Sequence, residues 1–155
     1  LYEGFSLPAI EAMSCGVPLV TTTGGALPEV TGTHGETCFQ VPPGDSDALA
    51  KEIEYAFETF VEGVQQLVNE HYSDTQYLTA PKIAVRGGSK YWKLVRREQH
   101  GDSVYGFVRK EDGAILKAAS WSAPYVKGPS SVRGYVTDPQ NGMSSVDWHG
   151  VVYAR

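Results

Sequence analysis

Ser89-Lys90-Tyr91-Trp92-Lys93-Leu94-Val95-Arg96-Arg97, then Ser103-Val104-Tyr105-Gly106-Phe107-Val108-Arg109-Lys110, then Glu111-Asp112-Gly113 and Ala114-Ile115-Leu116-Lys117-Ala118-Ala119: this stretch decides the fold of the C-terminal half. Aromatic and β-branched residues fill each run, as a pleated, half-buried surface favours. Glu111-Asp112-Gly113 is a tight-turn signal, so the second and third runs predict a hairpin. Arg133 to Thr137 and Val151 to Arg155 are further candidate strands. Together they predict a small antiparallel sheet of about 4–5 strands. Between them runs a proline-containing loop, Trp121-Ser122-Ala123-Pro124-Tyr125-Val126-Lys127-Gly128-Pro129.

The N-terminal half reads differently. Ser6 is a helix N-cap candidate with Pro8 in the first turn, where a missing N–H does no harm. Ala9 to Met13 continue the helix and Gly16 is a natural stop. Pro18 to Thr23 predicts a short buried strand, broken by Gly24-Gly25, and Glu36 to Val41 predicts a second. Pro42-Pro43-Gly44-Asp45 is a turn. Asp45 or Ser46 then caps a long helix, along which Leu49, Ile53, Phe57, Phe60, Val61, Val64, Leu67 and Val68 form one apolar stripe. Helix, strand, strand, helix with short connections is an α/β order.

Charge divides the chain in the same way. The 155 residues carry a net −5. Residues 1–76 hold twelve acids against the single base Lys51, a net of −11, whereas residues 77–155 hold twelve bases against six acids, a net of +6. All three tryptophans lie in the second part and both cysteines, Cys15 and Cys38, in the first. Such a switch predicts two modules: residues 1–72, a linker over 73–88, and residues 89–155. No apolar run approaches the roughly 20 residues of a membrane helix, and no signal-peptide pattern opens the chain. Two cysteines exclude a disulfide scaffold and a four-cysteine zinc site. His34, Cys38 and Cys15 make a poor zinc set, because no tight ligand pair is present; no metal site is expected. His71, His100 and His149 read as surface residues.

Residues Tyr2-Glu3-Gly4-Phe5-Ser6-Leu7-Pro8-Ala9-Ile10-Glu11-Ala12-Met13-Ser14-Cys15-Gly16-Val17-Pro18-Leu19-Val20 resemble the donor-site segment of family 4 retaining glycosyltransferases. Gly24-Gly25-Ala26-Leu27-Pro28-Glu29-Val30 and Val41-Pro42-Pro43-Gly44-Asp45 resemble its sequel, so the likeness spans about residues 1–58. It implies a GT-B ancestry and a partial Rossmann-like segment, which makes the expected whole α+β: this α/β piece followed by the antiparallel β-rich module. The family's two glutamates, seven residues apart, match Glu3 and Glu11. The resemblance implies donor-sugar contacts from Glu3, Gly4, Phe5 and Ser6, and a ribose contact from Glu11. The donor substrate would be a nucleotide-diphosphate sugar with UDP or GDP, with no separate cofactor. It also points to a cytoplasmic protein.

Elementary chemistry agrees with those roles. A Gly-Phe-Ser loop entering a helix presents free backbone N–H groups. A carboxylate on the following helix can accept both hydroxyls of a vicinal diol. Glutamates near a helix N-terminus also arise simply because the helix dipole favours them. The Arg/Lys pair that the family sets on the diphosphate has no match here, nor does the acceptor domain. The expectation is therefore a donor-binding half-site, inactive alone, with no catalytic residue assigned.

The C-terminal runs resemble small uncharacterised proteins of phages that infect actinobacteria, a likeness that transfers no function. Aromatics interleaved with bases suggest single-stranded nucleic acid as a partner, with Trp92, Lys93, Arg96, Arg97 and Arg109 as the candidate contacts. The alternative is a sheet with an aromatic core and a solvated basic face, Trp121 and Trp148 being core or lid residues. A third reading is an interaction protein, self-associating or with its acidic and basic halves packed together.

Overall fold

The computed structural model describes residues 5–15, 19–74 and 78–152. It is an α+β structure: a short α/β segment with a two-stranded parallel sheet, a long helix, and a five-stranded antiparallel sheet. The N-terminal segment runs α1 (Leu7–Ser14), β1 (Val20–Thr22), α2 (Leu27–Thr31) and β2 (Phe39–Val41). Val20 pairs with Phe39 and Thr22 with Val41, parallel. Ser6 stands at the N-cap of α1 with extended backbone but makes no side-chain cap bond. α2 was not expected. It is five residues long, too short for a periodic signal, and Pro28 in its first turn starts it.

α3 (Ser46–Tyr72) follows. The Asp45 carboxylate caps it, accepting from the Ala48 N–H at 2.8 Å. The apolar stripe forms as its spacing requires, with Ile53, Ala56, Phe57, Phe60, Val64 and Val68 buried. Its partner is the sheet made by β3 (Lys82–Gly87), β4 (Tyr91–Glu98), β5 (Gly101–Arg109), β6 (Ala114–Leu116) and β7 (Val132–Tyr135), in that order and antiparallel throughout. Ala56, Phe57, Phe60 and Val64 share one core with Leu94, Tyr105, Val108, Ile115, Val136, Val146 and Val151. The Phe57 ring lies flat on Trp92, centroids 4.2 Å apart. At the helix's other end Gln65 reaches β3, accepting from the Ile83 N–H at 2.8 Å and donating to the Pro81 carbonyl at 3.1 Å.

The expected hairpin is present. Gly113 takes a positive φ of 74°, which glycine tolerates, and the Asp112 carboxylate accepts from the Ala114 N–H at 3.1 Å. A bulge lies opposite Leu94 and Val95, where Tyr105 is the extra residue of β5, and its hydroxyl donates to the Asp147 carbonyl at 2.6 Å. Three expectations need adjusting. Residues 82–87, inside the stretch read as linker, form β3. The third run ends at Leu116, with Ala118 bridging only to Pro124. Val151 makes an isolated bridge to Val146, while residues 153–155 lie outside the described residues. Among the described residues no helix is long and apolar enough to cross a membrane.

Candidate functional site

The donor-type segment enters α1. Glu3 and Gly4 lie outside the described residues. Phe5 is 64 % exposed and Ser6 half-buried, so the approach to the helix N-terminus faces solvent. The first turn offers the Leu7 N–H but none from Pro8, and Ala9 is buried beneath. Glu11 is exposed, and among the described residues its carboxylate has no ion-pair partner. An exposed, unpaired carboxylate is free to accept from a diol. Cys15, which follows α1, is an exposed free thiol, whereas Cys38 is buried.

A cleft of about 630 Å³ opens beside this segment. Met13 and Leu19 form one wall, the His34–Phe39 loop a second, Glu52 and Tyr55 of α3 a third, and Thr137, Asp138, Pro139 and Asn141 the fourth. His34 has a fixed tautomer. Its Nδ1 accepts from the Gln40 N–H at 2.9 Å, so a neutral ring carries its proton on Nε2, 3.6 Å from the Glu52 carboxylate. Glu36, Glu52 and Asp138 line the cleft and, among the described residues, no Lys or Arg does, so the field of that lining opposes a diphosphate. Among the described residues no group of His, Cys, Asp or Glu could hold a metal ion. The cleft was not read from the sequence. Its fourth wall is a turn, Asp138-Pro139-Gln140-Asn141-Gly142, whose Asp-Pro and Asn-Gly steps were the available signal.

The candidate contacts on the sheet separate. Trp92 and Arg96 point toward α3: Trp92 stacks on Phe57, and buried Arg96 donates to the Tyr72 hydroxyl at 2.7 Å. Its guanidinium also lies 5.4 Å from the Trp148 ring, which stacks flat on His71 at 3.8 Å. Lys93 and Arg97 point the other way, by the two-residue period of a strand. Arg109 is held by Asp112, through Nε at 2.8 Å and Nη2 at 2.6 Å. Burial works to raise the Asp112 pKa, and the hydrogen bonds from Arg109 and the Ala114 N–H outweigh it, holding the carboxyl below its usual range. Burial drives the Tyr105 hydroxyl pKa well up, helped by the nearby Asp147 carboxylate.

Two family models match the chain. Residues 1–59 match the glycosyl transferases group 1, and residues 43–154 match a family of unknown function, DUF7717. An MMP α-(1→4)-mannosyltransferase of Mycolicibacterium hassiacum is 59 % identical over 49 residues, 32 % of this chain and 12 % of that protein. An O-antigen chain mannosyltransferase B of Escherichia coli is 50 % identical over 52 residues, 34 % of this chain and 13 % of that protein. An N-acetyl-α-D-glucosaminyl L-malate synthase of Bacillus anthracis is 29 % identical over 101 residues, 64 % of this chain and 26 % of that protein. The chain thus spans only a small part of each relative's length. No solved structure is similar enough to count as a match.

Proposed function

The chain belongs to the family of unknown function DUF7717, which matches it over residues 43–154, and we propose that it carries, over residues 1–59, the donor side of a nucleotide-sugar-dependent retaining glycosyl transfer. The observation that carries this reading is the 59 % identity over 49 residues to a mannosyltransferase. In this reading Glu3 accepts from the hydroxyls of the donor hexose, and Gly4, Phe5 and Ser6 bring backbone polar groups close to it. Glu11 accepts from the two ribose hydroxyls, a task for which its exposed carboxylate is suited. Retaining transfer breaks the bond from the anomeric carbon to the diphosphate and forms a new glycosidic bond of the same configuration. The leaving diphosphate needs positive charge. Lys51 is the one cation in residues 1–76, so these residues act as a half-site, inactive until another segment or chain supplies the cations and the acceptor.

The test is calorimetric titration with UDP, GDP and their hexose conjugates, a mannose conjugate first because two relatives are mannosyltransferases. Saturable heat that disappears in Glu11→Ala is the expected result. Absence of heat with every nucleotide would reject donor binding by this chain.

A further inference from the structure

Two pairs of cations face each other across β3 and β4. Lys82 stands opposite Arg97, and Arg86 opposite Lys93. All four project from the face of the sheet turned away from α3, because Trp92 and Leu94 alternate with them and pack toward the helix. The pairs lie four residues apart along the strands, ~13 Å. Like charges set directly opposite each other destabilise a sheet. One acid stands among them: Asp102 is opposite Arg97 and 3.2 Å from the Arg86 guanidinium.

An aromatic loop lies over the same face. Lys93 Nζ is 4.3 Å from the centre of the Trp121 ring and donates to the Trp121 carbonyl at 3.1 Å, while the Arg86 guanidinium is 5.5 Å from that ring. The loop is pinned by bonds from the Tyr125 N–H to the Lys117 carbonyl, 2.7 Å, and from the Ala119 N–H to the Ala123 carbonyl, 3.0 Å. Trp121 nevertheless keeps 42 % of its surface exposed, and Tyr125 40 %. The acidic side chains Glu54, Glu58 and Glu62 are on the outer side of α3, across the molecule, so the net −5 does not describe the field at this face.

We propose that this face binds single-stranded nucleic acid, with Lys82, Arg86, Lys93 and Arg97 on the phosphates and Trp121 as the platform on which a base stacks. Positive charge alone would fit any polyanion. The exposed, cation-flanked ring selects a partner that carries flat bases as well as phosphates. The proposal stands on residues apart from the donor segment, so either reading can fail without the other.

The experiment measures fluorescence anisotropy of labelled oligo-dT and oligo-U with the whole chain over a range of KCl, with polyglutamate as the acidic comparator. Expected is binding whose log–log salt slope is about −2.8 for four phosphate contacts to a single strand. Lys93→Gln with Arg97→Gln removes about 1.4 of that slope. Trp121→Leu weakens binding roughly tenfold without changing the slope, and Trp121→Phe restores most of it. Circular dichroism checks that each variant keeps the wild-type fold. Failure of the wild type to bind either oligonucleotide overturns the proposal. So does equal affinity for polyglutamate, or indifference to Trp121→Leu in a folded variant. Self-association in sedimentation that vanishes in the Lys93, Arg97 variant, without oligonucleotide binding, would assign the face to a second copy of the chain.

Discussion

Residues 5–45 and residues 46–152 differ in what they hold together. In the first, the described buried residues are Ala9, Thr31, Cys38 and Val41, and each strand of its sheet is three residues long. In the second, α3 and five strands close over a continuous core with Phe60, Val64, Leu94 and Ile115 nearly or fully excluded from water. The match to the glycosyl transferases group 1, residues 1–59, covers the thinly buried part and the start of α3, and the cohesion falls on the second region. Similarity to one family can therefore follow a thinly packed segment, while the packing that keeps the chain folded follows a different family. α3 belongs to both: the two matches overlap over residues 43–59, and its stripe turns to the sheet.

The sharpest way to break this contrast is Phe60→Ala. Removing that ring from the helix–sheet core should cost about 3–5 kcal/mol, read as a lower urea midpoint. A loss below ~1 kcal/mol would mean that α3 does not organise the second region. Amide exchange should agree, with the N–H groups of β4 and β5 protected longer than those of β1 and β2. Next is Asn141, whose side-chain amide donates to the Ala56 carbonyl at 2.9 Å and to the Val136 carbonyl at 2.6 Å, tying α3 to the chain beyond β7. Asn141→Ala removes both bonds, although the Ala56 carbonyl keeps its helix bond from the Phe60 N–H, and should cost about 1–2 kcal/mol in the same titration. Asp45→Ala, at the junction of the two regions, removes the α3 cap and should cost about 1 kcal/mol without altering exchange in β1 and β2. The smallest effect is acidic. The Asp112 carboxyl is held below its unfolded value, near 3.9, so its contribution is full above that value and fades as pH falls through the lower, folded one. The side chain is 36 % exposed, which keeps the effect below ~1 kcal/mol. Urea midpoints measured down an acid series should fall less steeply in Asp112→Asn than in wild type.

Much of this was legible in residue order. The α3 stripe, a cap at Asp45 or Ser46, the Glu111-Asp112-Gly113 hairpin and the two short strands seen as β1 and β2 follow from local rules that packing did not override. What packs against a stripe is not a local property, so nothing in Ile53, Phe57, Phe60 and Val64 announced the sheet as their partner. β3 escaped because Lys82-Ile83-Ala84-Val85-Arg86-Gly87 has little apolar area of its own and lies between Pro81 and Gly88. Its hydrogen bonds with β4 and Gln65 make it a strand. At the basic candidates, the two-residue period already separates Trp92 and Arg96 from Lys93 and Arg97. Treating them as one set ignored it. Lys82, Arg86 and Trp121 could join the second group only once strand register and loop path were known.

The sheet is open, and β3 is one of its two outer strands. An outer strand presents unpaired backbone groups to which a foreign strand can add, and charged side chains there discourage it. Val85 on β3 is 43 % exposed, with Lys82 and Arg86 on either side of it. Those two bases therefore act as gatekeepers for the outer edge. Neutralising them would invite edge-to-edge aggregation in concentrated solution, whereas neutralising Lys93 and Arg97 on the inner strand would not.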